Sequence, residues 1–217
     1  MIISDGGGPA SLAVPFGYEG AGRREADHRI ANSLQLLSAL LSSQGREIRD
    51  PAARAALETS VQRIGAIAHV HRQLYKSHGE TGIDLCAYLM DLLAGLQGSF
   101  SCENRKIHLS AEPVVTPSDF ASVIGIIVTE IVINACKHAY ASDQQGAIEV
   151  VLAIDAARGF TLEVRDRGCG RSDDGQPSQG LGSRIVDLMT RKLDAVARYA
   201  PVAIGTSFVM TGELPTT

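Results

Sequence analysis

The segment ASVIGIIVTEIVINACKHAY, residues 121–140, constrains the fold of this 217-residue chain more than any other stretch. It is apolar nearly all the way round a helical projection, which predicts a long buried helix from about Ser118 to Tyr140. No membrane insertion is predicted, because Glu130 and Asn134 interrupt the apolar run before it reaches a membrane-spanning length.

Three polar side chains lie on one stripe of this helix. Glu130, Asn134 and Lys137 follow at i, i+4 and i+7, with His138 adjacent. Burying them costs several kcal/mol unless something satisfies them. Two explanations are open: a mutual Glu130–Lys137 ion pair at the helix edge, or a cavity that holds Mg²⁺ on the Asn and Glu oxygens and phosphates on the Lys.

Two glycine-rich segments favour the cavity. RDRGCG places Asp166, Gly168 and Gly170 at the end of a predicted strand, where glycines let the backbone approach a ligand and the carboxylate accepts a hydrogen bond from it. GLGSRIVDLM places Gly180 and Gly182 just before a helix, whose free N–H groups and dipole favour phosphate. Each is weak alone, since D-x-G is also a common turn and a glycine-rich helix start is often only a tight connection.

The rest of the C-terminal part predicts an α+β fold, with helices on one face of a largely antiparallel sheet. AIEVVLAID and FTLEVRD form a predicted hairpin about DAARG. Asp84 caps a predicted helix over residues 85–96. Further helix and strand patterns cover residues 106–110, 182–193, 196–199 and 206–211.

The N-terminal part predicts an antiparallel helical hairpin. The first helix, from about Arg24 to Gln44, carries a seam of Ile30, Leu34, Leu37 and Leu41. The second helix begins at Pro51 after the N-cap Asp50 and ends near Lys76. A lone hairpin cannot bury both of its seams, so we predict a homodimer in which two hairpins form a four-helix bundle.

The segment SHGETG separates the two parts, so the predicted organisation is a tail at 1–22, rich in Gly and Pro, a hairpin at 23–79 and an α+β domain at 80–217. The net charge of −4 gives no electrostatic reason to bind nucleic acid. Four scattered cysteines without a C-x-x-C pair argue against a structural metal site and indicate a reducing compartment. No secretory signal is recognisable, so the cytoplasm is expected.

Taken in order, E-x-x-x-N-A-x-K-H, D-x-G-x-G, G-L-G-x-R-I-V and a later GTSF resemble the N, G1 and G2 boxes of the GHKL ATPase superfamily, over roughly residues 84–214. The resemblance implies a Bergerat-type α/β sandwich that binds ATP with Mg²⁺. Residues 171–179, RSDDGQPSQ, match the ATP lid, although they contain no clear F box.

The resemblance also implies roles for single residues. Asn134 would hold Mg²⁺, with Glu130 considered as a second ligand and as a catalytic residue. Asp166 would bind the adenine amino group. The remaining positions implied to contact the nucleotide are Lys137, His138, Gly180 and Gly182 at the phosphates, Gly168 and Gly170 at the adenine, and Thr206 of GTSF.

His28 lies in the first helix, about 160° from Ile30 at about 100° per residue, so it is not predicted to be a core histidine. The simplest explanation is a solvated surface residue. However, DHRIANSLQLL resembles the phosphoacceptor box H-R-x-x-N-x-L-Q of HisKA_2 and HWE-like sensor histidine kinases, and it precedes the ATP module in the order of that family. The resemblance implies that His28 is phosphorylated from ATP and passes the phosphoryl group to an aspartate of a response-regulator receiver domain.

Several alternatives stay open. The general base could be Glu25, Asp27 or Glu130. A histidine phosphotransfer protein or a response-regulator phosphatase could keep the same fold, and a serine kinase or anti-sigma factor shares the ATP module but not the His28 box. The family usually attaches a sensor domain ahead of the hairpin, which 22 residues cannot form, so we expect either a fragment or a stand-alone kinase that receives its signal from a partner.

Overall fold

The computed structural model describes residues 18–76, 82–99, 105–141, 143–170 and 180–215. Side chains are described throughout those ranges except at residues 18–31, 62, 66, 67, 69–76, 98 and 99.

Two helices form the N-terminal hairpin, α1 (Tyr18–Gly45) and α2 (Pro51–Lys76). The predicted cap is confirmed, because Oδ1 of Asp50 accepts a hydrogen bond from the backbone N–H of Ala52 at 3.0 Å. Helix α1 begins six residues before the predicted start near Arg24, so residues 18–22, assigned to the tail, are helical. Within a single chain, α1 leaves Leu36, Leu37 and Leu40 exposed.

A five-stranded sheet forms the base of the C-terminal part. Its strands are β2 (Arg105–Ala111), β4 (Gly146–Ile154), β5 (Gly159–Asp166), β6 (Val196–Ala200) and β7 (Thr206–Glu213), in the order β2-β4-β5-β7-β6. Only β2 and β4 are parallel, so the prediction of a largely antiparallel sheet is confirmed. A short second sheet pairs β1 (Ile83–Asp84) with β3 (Val115–Thr116).

Three helices cover one face of the five-stranded sheet. They are α3 (Leu85–Ser99), α4 (Ser118–His138) and α5 (Leu181–Lys192). Alternate side chains of β4 and β5 point into the shared core, among them Val150 and Leu162, whereas Glu149 and Arg165 form an ion pair on the opposite face. The α+β prediction is therefore confirmed.

Helix α4 runs through the centre of the molecule, as its apolar sequence predicts. By length and composition it is the one helix in the described residues that could cross a membrane, and 78% of its apolar window is buried inside the fold. Helix α2 packs against α3 and α4, so the hairpin lies directly on the helical layer.

Candidate functional site

Helix α4 presents Glu130 to the hairpin. Glu130 is 2% exposed, and its Oε2 accepts a hydrogen bond from Nε of Arg63 on α2 at 2.9 Å. Burial raises the pKa of the Glu130 carboxyl above its ordinary value, and the positive charges of Arg63 and Lys137 act in the opposite direction. The polar stripe of α4 thus begins with an ion pair between the hairpin and the α+β domain.

Lys137 also takes its partner from the hairpin. Its Nζ donates a hydrogen bond to Oγ1 of Thr59 on α2. Burial and the Arg63 charge lower the pKa of the Lys137 ammonium group, while Glu58 and Glu130 oppose that shift. The mutual Glu130–Lys137 ion pair considered as one explanation from the sequence is therefore wrong. Helix α2 lies across the stripe, and its side chains Arg63 and Thr59 are the hydrogen-bonding partners of Glu130 and Lys137.

Asn134 occupies the middle of the stripe. Its side chain is half-buried and makes no hydrogen bond with any residue that the structure describes. A free amide oxygen suits Mg²⁺, which usually binds few protein ligands and completes its coordination with water and substrate phosphates. Asn134 therefore fits the implied metal, whereas Oε2 of Glu130, the second residue considered as a ligand, already accepts a hydrogen bond from Arg63. The described part of the chain contains no cluster of three His, Cys, Asp or Glu residues around a possible metal.

Asp166 ends strand β5 and is buried. Its Oδ1 accepts hydrogen bonds from the backbone N–H groups of Gly168 at 2.9 Å and Thr206 at 3.2 Å. These bonds use one carboxylate oxygen, and Oδ2 has no partner among the residues that the structure describes. Such an arrangement fixes the carboxylate rigidly and leaves one acceptor for a ligand donor.

The loop after β5 packs on the C-terminal end of α4. The backbone N–H of Cys169 donates to the carbonyl oxygen of Ala139 at 2.7 Å, and Sγ of Cys169 lies 3.1 Å from the carbonyl oxygen of the exposed His138. A Cβ at Gly168 would collide with the backbone of Ala139. Gly170 adopts φ +75°. In this structure Gly168 is thus required by the packing of the loop against the protein's own backbone.

The first turn of α5 reaches the other end of the stripe. Gly180 is the N-cap and carries no side-chain cap. A Cβ at Gly182 would lie 2.6 Å from Oε2 of Glu130 and 2.8 Å from Nη2 of Arg63. Because Gly182 has no side chain, the Glu130–Arg63 pair can lie close to the first turn of α5, whose backbone N–H groups have no partner within the helix.

The predicted site residues thus form two groups along α4. Glu130 and Gly182 lie together with Arg63, and His138, Gly168, Asp166 and Thr206 are linked around the end of the helix. The side chain of His28 and the predicted lid at 171–179 lie outside the described residues, although the backbone of His28 is within α1.

Sequence reasoning missed the residues that the hairpin contributes. Thr59 and Arg63 lie one turn apart on α2. Thr59 contacts Lys137 and Arg63 contacts Glu130 on α4. Thr59 and Arg63 belong to no recognisable motif. Their spacing of one helical turn, which places both on one face of α2, was the only signal in the sequence. Gly205, the first residue of the GTSF motif, was given no role from the sequence. It has φ +80° and lies against the backbone of Asp166, where a Cβ would collide.

Two family models match the chain. A histidine kinase model, HisKA_2, matches residues 25–100, and a histidine kinase-like ATPase domain model matches residues 105–199. The two matches follow each other in the order of the hairpin and the α+β domain.

Curated relatives are sensor histidine kinases. The chain is 31% identical over 177 residues to the sensor histidine kinase PdtaS of Mycobacterium tuberculosis, covering 79% of this chain and 35% of the relative. It is 33% identical to PdtaS of Mycolicibacterium smegmatis over 178 residues, again 79% of this chain and 35% of the relative. The chain thus spans about a third of the length of these relatives.

A solved structure supports the fold. The histidine kinase domain of a blue-light-activated histidine kinase from Erythrobacter litoralis superposes with a TM-score of 0.65 at 22% identity, covering 89% of this chain and 94% of that domain. With its two family matches and its relatives, the chain belongs to the sensor histidine kinases of the HisKA_2 type.

Proposed function

We propose that the protein is an ATP-dependent histidine kinase that phosphorylates its own His28 and passes the phosphoryl group to an aspartate of a response-regulator receiver domain. The observation that carries the proposal is the arrangement along α4. Glu130 lies beside the first turn of α5, Asn134 and Lys137 follow it along the stripe, and Asp166 is held beyond the C-terminal end of α4. This arrangement supports a nucleotide lying along the helix, with its phosphates near Gly182.

The proposed nucleotide contacts combine this geometry with the residue roles that the sequence resemblance implies. Asp166 accepts a hydrogen bond from the adenine amino group through Oδ2, while Gly168 and Thr206 hold Oδ1. Gly168 and Gly170 bound the adenine pocket. By the roles that the sequence resemblance implies, Lys137, His138, Gly180 and Gly182 meet the phosphates, and residues 171–179 are the ATP lid. The proposed domains are a dimerisation and phosphotransfer hairpin that begins with α1 at Tyr18 and extends to residue 79, and the GHKL-type ATPase domain at 80–217; the tail is shortened from 1–22 to the residues before α1.

The chemical step is an in-line transfer. A neutral imidazole nitrogen of His28 attacks the γ-phosphorus, the bond to the β,γ-bridging oxygen breaks and ADP leaves with that electron pair. The imidazole proton passes to a carboxylate, for which Glu25, Asp27 and Glu130 are the candidates. When bound at Asn134, Mg²⁺ neutralises phosphate charge. Lys137 neutralises a further part of the charge, and the helix start at Gly182 orients the phosphates.

The proposed kinase is a cytoplasmic homodimer. Two hairpins pair into a four-helix bundle, supported by the exposed Leu36, Leu37 and Leu40 of α1. The receiver domain docks on the hairpin, which the position of His28 in α1 supports. The protein acts in the cytoplasm, without inserting into a membrane or binding nucleic acid.

Phosphorylation by labelled ATP tests the function. Incubation with γ-labelled ATP and Mg²⁺ is expected to give acid-labile, base-stable label on the protein, which His28→Ala abolishes. His108→Ala, at an exposed position on β2, is the matched control and should keep the label. Acid-stable label would identify a serine kinase instead, and nucleotide binding without any label would favour a phosphatase or phosphotransfer protein.

A further inference from the structure

We propose that Arg63 of helix α2 binds the terminal phosphate of ATP, so that the hairpin supplies one side chain of the nucleotide site. The proposal rests on the proposed function for the identity of the ligand, and it assigns a role to a residue outside the ATPase boxes.

The guanidinium of Arg63 is held at the phosphate end of the candidate site. Its side chain is 13% exposed, and Nε donates to Oε2 of Glu130 at 2.9 Å. Nη2 approaches the first turn of α5, 2.8 Å from the position of a Cβ at Gly182. The group therefore lies between a carboxylate of α4 and the N-terminal turn of α5.

Arg63 has unused hydrogen-bonding capacity at this point. A guanidinium carries several N–H donors in a planar fork. Within the described ranges, Glu130 is its only hydrogen-bonding partner, and it engages Nε alone. Because none of the described residues accepts a hydrogen bond from the two Nη groups, these groups are available to an acceptor on a ligand.

The location selects an anion as that acceptor. The start of α5 carries a partial positive charge and free N–H groups, so an anion that reaches both this helix start and the Nη groups of Arg63 is stabilised by both. Phosphate oxygens match the guanidinium fork in a bidentate geometry. Glu130 then orients Arg63 through Nε while the Nη groups face the ligand.

The interface keeps Arg63 in register with the site. Thr59, one turn earlier on the same face of α2, hydrogen-bonds with Lys137 on the α4 stripe. Gly182 leaves the space that the guanidinium fills. Two contacts one turn apart fix both the axial position and the rotation of α2 against α4. Arg63 is therefore held at one defined position.

A competing role is a lock, in which Arg63 neutralises Glu130 and must leave before ATP binds. The two roles predict opposite effects of removing the side chain. A phosphate ligand strengthens ATP binding, whereas a lock weakens it. The unused Nη groups favour the ligand role, because a lock on Glu130 would be strongest with a bidentate pair.

Nucleotide affinity decides between them. Calorimetric titration of the full chain with Mg²⁺ compares ADP with a non-hydrolysable ATP analogue. Arg63→Gln is expected to weaken binding of the analogue by about 10- to 100-fold while changing that of ADP by less than about 3-fold. Arg63→Lys should lie in between, since an ammonium keeps the charge but not the fork. Arg49→Gln, in the exposed connection between α1 and α2, is the matched control.

Each other outcome overturns the proposal. Unchanged or tighter analogue binding in a folded Arg63→Gln variant would leave only a lock or a packing role, and an equal loss for both nucleotides would indicate a structural role. If Arg63→Gln does not fold, the Arg63→Lys ratio decides. A wild type that binds neither nucleotide overturns the proposed function as well. A triphosphate-selective loss without label on His28 would support Arg63 as a ligand and contradict only the kinase activity.

Discussion

Asp166 and Thr206 are separated by 40 residues in sequence and joined by a hydrogen bond from the Thr206 backbone N–H to Oδ1 of Asp166 at 3.2 Å. The same oxygen accepts the N–H of Gly168. One carboxylate oxygen therefore connects the end of β5, the following loop and the start of β7, and the other is left for a ligand.

Asp166→Asn separates the structural and the binding role of this carboxylate. The amide oxygen can still accept both backbone N–H groups, but the second acceptor becomes an NH₂ donor facing the adenine amino group. We expect ADP and ATP affinities to fall together by about 10-fold or more, with a change in unfolding free energy below about 1 kcal/mol. Calorimetry and urea unfolding measure the two effects.

Asp155→Asn is the control for that substitution. Oδ1 of Asp155 also accepts two backbone N–H groups, from Ala157 and Gly159, in the turn between β4 and β5. Its variant should lose no nucleotide affinity. Equal affinities in wild type and Asp166→Asn would contradict the adenine role of Asp166.

Gly168→Ala tests the packing of the loop on α4. Its Cβ would collide with the Ala139 carbonyl, so the loop must move and the unfolding free energy should fall by about 1–3 kcal/mol. Gly65→Ala is a comparison with the opposite sign, because a Cβ there meets nothing within 4 Å. In the middle of α2 it should stabilise the protein by about 0.5–1 kcal/mol. Thermal and urea unfolding check both, and a neutral Gly168→Ala would show that the loop is not held by this contact.

Local patterns were sufficient to predict most of the fold. The apolar circumference of α4, the Asp50 and Asp84 caps and the alternation in β4 and β5 each predict an element that the structure contains. Such patterns are properties of neighbouring residues in sequence, which is why they can be recognised without the tertiary structure.

The site was predictable only where its residues form a motif. Asn134, Asp166 and Gly182 belong to recognisable boxes, whereas Arg63 and Thr59 contact the stripe only because α2 packs across α4. That packing is a tertiary contact, because Arg63 and Glu130 are 67 residues apart in the sequence. The same ignorance of tertiary contacts made a Glu130–Lys137 ion pair look plausible.

Glu130 is expected to give the stability a distinct pH dependence. Because burial raises the pKa of its carboxyl in the folded protein, the folded state binds the proton more tightly than the unfolded state. Its contribution to the unfolding free energy therefore falls as pH rises from the ordinary pKa of 4.5 through the raised folded value, and is constant above it. The difference between wild type and Glu130→Gln, measured by urea unfolding from about pH 3 upward, isolates this contribution.

The sign of that difference is the informative result. If the unfolding free energy of the wild type minus that of Glu130→Gln decreases with pH, the cost of burying the charge outweighs the attraction of Arg63. An increase with pH would mean that the ion pair with Arg63 outweighs burial and keeps the carboxyl ionised.

Leu36 and Leu40 are expected to hold the dimer together. Their side chains are 63% and 54% exposed in the single chain, on a helix of the hairpin whose partner α2 does not cover them. A charged side chain at the centre of a four-helix bundle would be buried without a counterion. Leu36→Glu or Leu40→Glu should therefore shift the protein from dimer to monomer in sedimentation velocity at micromolar concentration, whereas Leu188→Glu, at a 62% exposed position on α5, should leave it dimeric. A dimer that survives both hairpin substitutions but dissociates with Leu188→Glu would move the interface to the ATPase domain.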